Sequence, residues 1–492
     1  MTTALLLLII GTYLFSLLWI SIFSFGQAQL AWIYFRNKNQ KITPPLAPKE
    51  WPSITIQLPI YNEKYVINRL LNAMEALDYP SHLLTIQILD DSTDETTELV
   101  EDFIFNQPHL TKQFVHIRRK SRVGYKAGAL AHGLTLTSDP FIAIFDADFV
   151  PDSDFLMKSI PYFDQPLIGM VQTRWSHLNQ KYSLLTQLQA FGLNAHFTVE
   201  QSGRNLSGSF INFNGTAGIW RKSCIEEAGG WTDDTLTEDL DLSYRAQLKG
   251  WKFKYVESIT CPAELPVLVP AIKSQQFRWN KGAAESARKH LQNVVKANLP
   301  LRIKIRAILH LLNSSVFVFL FLAAILSIPM LYIKAEYPSL ELLFHFGTIF
   351  VTGFLAITLF YWISSRAIHK NSGHFGRFFL LFMTFSMGLS LHNSLAIIEG
   401  WIGKKSPFIR TPKFNVIDNH HSWRSNTYVL SITKLDPHVW IELILAFYFS
   451  FGVIYGLFLS DFGLFIWHLM LAVGFFSLSL LSFKSAGYGA KA

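Results

Sequence analysis

The chain has 492 residues, half of them hydrophobic and only 16% charged, against about 25% charged in an ordinary soluble protein. The deficit sits at the N-terminus and across the last third, so one soluble domain between membrane segments accounts for the length. The net charge of +8 does not point to nucleic acid. Lys and Arg gather beside apolar segments (Arg36, Lys38, Lys41; Lys296, Arg302, Lys304, Arg306; Lys404, Lys405, Arg410, Lys413), the pattern of cytoplasmic flanks in a membrane protein. Two distant cysteines, Cys224 and Cys261, exclude a disulfide framework and suit a reducing cytosol.

Residues 4–35 are apolar, lack a basic leader and end at Arg36, which predicts a retained N-terminal transmembrane helix over 1–36. From 50 to 265 the pattern changes to strands, including Ile54–Leu58, Leu84–Leu89, Val115–Ile117 and Phe141–Phe145, alternating with helical stretches at 63–76 and 94–105. Alternation of this kind predicts an α/β domain with a mostly parallel, Rossmann-like sheet covered on both faces. Ligands bind beyond the carboxyl ends of such strands.

The informative residues fall at those ends. Asp90-Asp91-Ser92-Thr93-Asp94 closes a strand and opens a helix. Its carboxylates could accept from a nucleoside, or the cluster could be helix capping alone by Ser92 and Asp94. Arg122-Val-Gly124-Tyr-Lys126-Ala-Gly128 is a basic, glycine-bearing turn that lets amides and Lys126 approach phosphate. Asp146 and Asp148 follow a run of apolar residues. Carboxylates at i and i+2 at a strand end can share one hard cation, Mg²⁺ or Mn²⁺, with a diphosphate, although an isolated Asp-x-Asp is common on surfaces. Thr237-Glu238-Asp239 precedes a helical stretch. It is either a capped helix start with acids on the positive dipole end or a site where Asp239, with Glu238 beside it, deprotonates an acceptor hydroxyl.

Residues 266–306 read as interfacial helices carrying Gln275-Gln-Phe-Arg278-Trp279. Trp279 offers a flat face to a sugar and Arg278 a charge for a leaving diphosphate, or the Trp belongs to an aromatic belt. Apolar segments at 307–332 and 341–363 predict two transmembrane helices over 307–363, and those at 439–460 and 462–482 two more over 439–483. The segment 378–400 contains His392, Asn393 and Glu399, costly in hydrocarbon. Counting it as a span would also place a basic stretch outside. Residues 378–438 are therefore predicted as an interfacial or re-entrant helix followed by a cytoplasmic loop, leaving five spans. His420-His421 reads as polar loop, with no ligand-spaced partner.

The order Asp-Asp, Gly-Tyr-Lys-Ala-Gly, Asp-Ala-Asp, Thr-Glu-Asp, Gln-x-x-Arg-Trp resembles that of processive family 2 glycosyltransferases. The runs Arg122–Leu130, His196-Phe-Thr-Val-Glu-Gln201, Phe213-Asn-Gly-Thr-Ala-Gly218 and Gly229-Gly-Trp231 resemble the plant cellulose-synthase-like A and C proteins, makers of β-mannan and β-glucan backbones. The resemblance implies a GT-A-type nucleotide-sugar-binding domain inserted between transmembrane helices. It puts Asp90 and Asp91 on the nucleoside, Lys126 on the diphosphate, and Asp146 and Asp148 on the metal. Asp239 becomes the base, and Gln275, Arg278 and Trp279 hold acceptor and diphosphate. Phe408-Ile-Arg-Thr411-Pro-Lys413 is similar to a gating loop, usually Phe-x-Val-Thr-x-Lys, that covers the donor, with Thr411 and Lys413 in place and Arg410 where Val is usual.

The resemblance thus implies an inverting hexosyltransferase in a cell (inner) membrane or Golgi-type membrane, with its catalytic domain cytoplasmic. Its partners would be a UDP-glucose or GDP-mannose donor, a glycan or lipid acceptor, and membrane lipid. Two other readings stay open: a non-processive transferase acting on diacylglycerol or ceramide, and an inactive glycan-binding or export component.

Overall fold

A computed structural model describes residues 2–38, 44–106, 110–369, 373–417, 423, 426–428 and 436–489; Lys41, His420, His421, Arg424 and Lys434 lie outside them. Seven strands form one sheet: β1 (Ile54–Ile60), β2 (Leu84–Asp90), β3 (Gln113–Arg118), β4 (Phe141–Ile144), β5 (Ile168–His177), β6 (Gly218–Arg221) and β7 (Lys252–Ala263). Their order is β3-β2-β1-β4-β6-β5-β7. β1 pairs in parallel with β2 and β4, β2 with β3, and β5 with β7, while β6 runs antiparallel to both of its neighbours.

The central strands read as continuous apolar runs because both faces are covered. Ile54, Ile56, Leu58 and Ile60 pack against Leu70, Leu71 and Met74 of the helix Ile67–Glu75. On the opposite face Ile142 and Ile144 pack with Ala127, Leu130 and Leu134 of the helix Tyr125–Thr135. Each such buried aliphatic contributes about 1.5–3 kcal/mol over leaving it exposed. The chain leaves β1 towards β2 on one side and returns from β3 to β4 on the other. The switch point between β1 and β4 opens a crevice at their carboxyl ends.

Five described helices are long and apolar enough to cross a membrane: Thr3–Asn37, Asn313–Glu336, Val351–Ile368, His438–Phe458 and Phe465–Gly487. This fits a multi-pass membrane protein. The segment predicted as interfacial or re-entrant forms two helices, Phe375–Gly388 and Ser390–Ile402, bent by 51°. The helix Val269–Lys296 joins the two regions. Its Lys273 meets both carboxylate oxygens of Glu442 at 2.7 Å, and its other end grips the sheet domain. There Leu236 N–H donates to Glu285 (2.8 Å) and His290 Nε2 lies 2.7 Å from Asp241. Gly282 makes this approach possible, because a Cβ there would stand 2.7 Å from Thr237 Oγ1 and 2.8 Å from its backbone nitrogen.

Candidate active site

A cavity of about 190 Å³ lies in the β1/β4 crevice. Its lining brings together Asp91, Lys126, Asp146, Asp148, Glu238, Asp239, Gln275, Arg278, Trp279, Thr411 and Lys413, eleven positions drawn from segments far apart in the chain. Asp90 is not among them. Its side chain is buried and accepts from Ser92 N–H (2.8 Å), from Thr97 Oγ1 (2.8 Å), and lies 3.0 Å from His116 Nε2. Burial alone would raise this carboxyl, but those hydrogen bonds outweigh it and hold it down at about 2. As the last residue of β2, Asp90 turns into the sheet and ties down its own turn, while Asp91 faces the cavity, so of the two residues the resemblance puts on the nucleoside only Asp91 lines the cavity. Asp90→Ala is expected to lower stability by about 2–3 kcal/mol, since it strands buried donors. Thermal unfolding of the purified protein measures this. An unchanged midpoint with selectively weakened donor binding would instead favour the nucleoside contact for Asp90.

The capping reading of the same cluster holds in part. Asp94 accepts from Thr96 N–H (3.1 Å) at the start of its helix, whereas Ser92 Oγ instead accepts from Asn62 N–H (2.9 Å) in the neighbouring loop. Asp91 is engaged by Arg119 through both carboxylate oxygens, with Nε at 3.0 Å.

The two carboxylates after β4 each hold a lysine. Lys126 Nζ lies 2.6 Å from Asp146 Oδ1 and donates to Gly215 O (2.8 Å), and Lys413 Nζ lies 2.7 Å from Asp148 Oδ2. Burial would depress the Lys126 ammonium, but the charges of Asp146, Glu238 and Asp239 outweigh it and keep it raised. Among the described residues no group of three acidic, His or Cys side chains converges to hold a metal by itself. Two hard oxygen donors facing a cavity nonetheless fit a cation that takes its remaining ligands from a diphosphate and water.

Glu238 and Asp239 open the helix Glu238–Leu248, as the plainer reading of that motif requires, yet Thr237 makes no side-chain cap. Burial, then the neighbouring Glu238 charge, push the Asp239 carboxyl up; burial also raises Glu238, against the pull of Lys126. A carboxylate held near neutrality is suited to take a proton. Gly215, at φ +78°, forms the opposite wall, and a Cβ there would come within 3.1 Å of Asp239 Oδ2.

The loop resembling a gate roofs the cavity. Thr411 Oγ1 accepts from Arg278 Nη2 (2.7 Å), and Phe408 lies between the Arg278 guanidinium (4.7 Å) and the Tyr125 ring (5.8 Å). Sequence reasoning missed two acids here. Glu264 accepts from Phe414 N–H (3.0 Å) and pairs with Arg69 (3.2 Å). Glu63 pairs with Arg410 at 2.5 Å, and burial pushes its carboxyl up to about 7 against the pull of Arg410 and Lys413. Both follow strand carboxyl ends, which is the one signal that could have found them.

Residues 52–282 match the family described as Glycosyltransferase like family 2. A protein of Arabidopsis thaliana named glucomannan 4-beta-mannosyltransferase 9 is 34% identical over 458 residues, covering 90% of this chain and 83% of that protein. The chain belongs to glycosyltransferase family 2. Glucomannan 4-beta-mannosyltransferase 1 of Cyamopsis tetragonoloba is 40% identical over 275 residues, 55% of this chain and 52% of that one. The matches to rice (Oryza sativa) relatives span about half of those proteins, between 44% and 51% of their length. Among solved structures, the mannosyltransferase PcManGT from Pyrobaculum calidifontis, in complex with GDP-Man and Mn²⁺, is similar with a TM-score of 0.51 at 19% identity. The similarity covers 72% of this chain and 98% of that one. That likeness is one of fold, and the fold of this family 2 domain is the GT-A arrangement.

Proposed function

We propose that the chain is a membrane-embedded inverting hexosyltransferase that moves mannose from GDP-mannose onto the end of a growing β-mannan or glucomannan at the cytoplasmic face. The observation that carries this reading is the convergence of Asp239, Lys126, the Asp146/Asp148 pair and Arg278 on one roofed cavity. The choice of mannose rests on the names of the relatives. In this reading the sheet domain and the loop from 401 to 438 are cytoplasmic, the five apolar helices span, and the bent pair lies in the interface.

Asp146 and Asp148 would hold Mg²⁺ or Mn²⁺, which when bound supplies positive charge to the leaving diphosphate. Lys126, Arg278 and Lys413 converge on the same place and add charge for the departing nucleoside diphosphate. Asp239 takes the proton of the acceptor hydroxyl, and Glu238 beside it keeps that carboxyl basic enough to do so. Trp279 offers its ring to the terminal sugar of the acceptor, and Gln275, one helical turn away, offers an amide. One base and one leaving group give a single displacement, so an α-linked donor yields a β-linkage.

The test incubates membranes containing the protein with labelled GDP-mannose or UDP-glucose and digests the product with linkage-specific hydrolases. Polymer formed from GDP-mannose and cut by a β-1,4-mannanase is the expected result. Label entering polymer from UDP-glucose alone would overturn the donor, and label partitioning into organic solvent would favour a lipid acceptor.

A further inference from the structure

Arg410 stands where the resembling loops carry valine, and its contacts differ in kind from those of its neighbours. Thr411 and Lys413 reach Arg278 and Asp148, around the proposed diphosphate position. Arg410 reaches the other way, to the wall that follows β1, where its Nη1 lies 2.5 Å from Glu63 Oε1. Its guanidinium also covers the Tyr428 ring at 4.6 Å. Both partners are themselves fixed. Glu63 N–H donates to Thr96 Oγ1 (2.8 Å). Tyr428 packs edge-on against Tyr65 at 5.2 Å, donates its hydroxyl to Asp94, and is preceded by Thr427, whose N–H donates to Tyr65 OH (3.0 Å). An ion pair thus ties the loop to the wall of the cavity that follows β1, where an apolar residue would make none. With the loop so placed the cavity measures about 190 Å³, below the roughly 300–1,000 Å³ of small-molecule sites.

We propose that Arg410 and Glu63 are positioning residues that latch the loop shut over the donor, so that their ion pair, braced by Tyr428, sets the closed fraction of the loop and hence the apparent donor affinity. The proposal rests on the glycosyltransferase reading of the cavity. Apparent affinity scales with the fraction of the protein in the closed form, whereas chemistry within the closed form uses other residues. Breaking the latch is therefore expected to raise KM for the donor about tenfold while kcat stays within about threefold.

The variants Arg410→Val, Arg410→Lys, Glu63→Gln and the Val/Gln double variant are compared at pH 8, where Glu63 is ionised. One arm measures KM and kcat with whichever of GDP-mannose or UDP-glucose the wild type uses. The other, without donor, measures tryptic cleavage after Lys413, a bond flanked by the buried Thr411 and Phe414 and cut only when the loop lifts. The expected result is faster cleavage, by a similar factor, in Arg410→Val and Glu63→Gln, with the double variant no worse than either single one and Arg410→Lys in between. Additive effects, or a raised KM with unchanged cleavage, would overturn the latch, the latter because Arg410 would then touch the donor directly. If the wild type uses neither donor, the functional reading fails, and the cleavage arm still decides the latch.

Discussion

Asp239→Asn is expected to lower the rate of sugar transfer about a thousandfold, within the range of a positioned general base, with donor affinity changed less than about threefold. The asparagine keeps the shape and can still accept from Leu240 N–H, which donates to Asp239 Oδ1 at 2.8 Å, so the fold is preserved while the proton acceptor is lost. Initial rates with labelled donor, together with donor binding by calorimetry, separate the two effects. A variant retaining a tenth of the wild-type rate would remove Asp239 from the chemistry. The pH profile gives a second view. Burial and the Glu238 charge raise the Asp239 carboxyl, and a base must be ionised to act, so transfer falls as pH drops through that raised value. Glu238→Gln removes the like charge and is expected to move this acid limb to lower pH.

Asp146→Asn and Asp148→Asn are each expected to cost two to three orders of magnitude, about what the loss of one preorganised charge contact to a leaving group costs, and to weaken donor binding as well. Each carboxylate now balances an ammonium, Lys126 at 2.6 Å and Lys413 at 2.7 Å. Removing either takes from a cavity lysine its nearest counter-charge and, in the proposed reading, deprives the cation of one of its two protein oxygens. The measurement is turnover against Mn²⁺ and Mg²⁺ concentration after chelation. The wild type should lose activity to the chelator and regain it with either ion, and the variants should need far more ion. Full activity in chelator would sink the metal assignment. The two sets of variants have opposite signatures, since Asp239→Asn spares binding and the Asp146 and Asp148 changes do not.

Much of the architecture was legible because its signals are local. The apolar runs of β1, β2 and β4 announce strands covered on both sides, and the acids beyond them announce a site. β5 was harder to read: Gln172 and Thr173 sit in its middle, fully buried, bonded to the carbonyls of Thr216 and Ala217, and its pairing with β7 contains register shifts. The distinction between Asp90 and Asp91 is also beyond composition, because successive residues at a strand end point opposite ways and only the register, with Asp90 opposite Ile60 and Arg118, decides which is hidden. Glu63 and Glu264 were missed because a single acid in a loop carries no spacing signal; their roles come from Arg410 and Phe414, some 150 residues or more further on. The segment 378–400, set apart in the sequence by its polar residues, lies within two helices that meet in a bend at Leu389.

The close seating of Gly282 on Thr237 bears on how this protein could be dissected. A cut after β7, where the sheet ends, looks like a natural way to obtain a water-soluble fragment. Such a fragment would lack Gln275, Arg278 and Trp279 and would expose Asp241, which His290 and Lys289 now cover. The turn bearing Asp239 would lose the surface it is braced against. In the proposed reading the helix Val269–Lys296 supplies three of the side chains that act on acceptor and diphosphate, so a fragment ending after β7 is expected to gain solubility only at the expense of turnover.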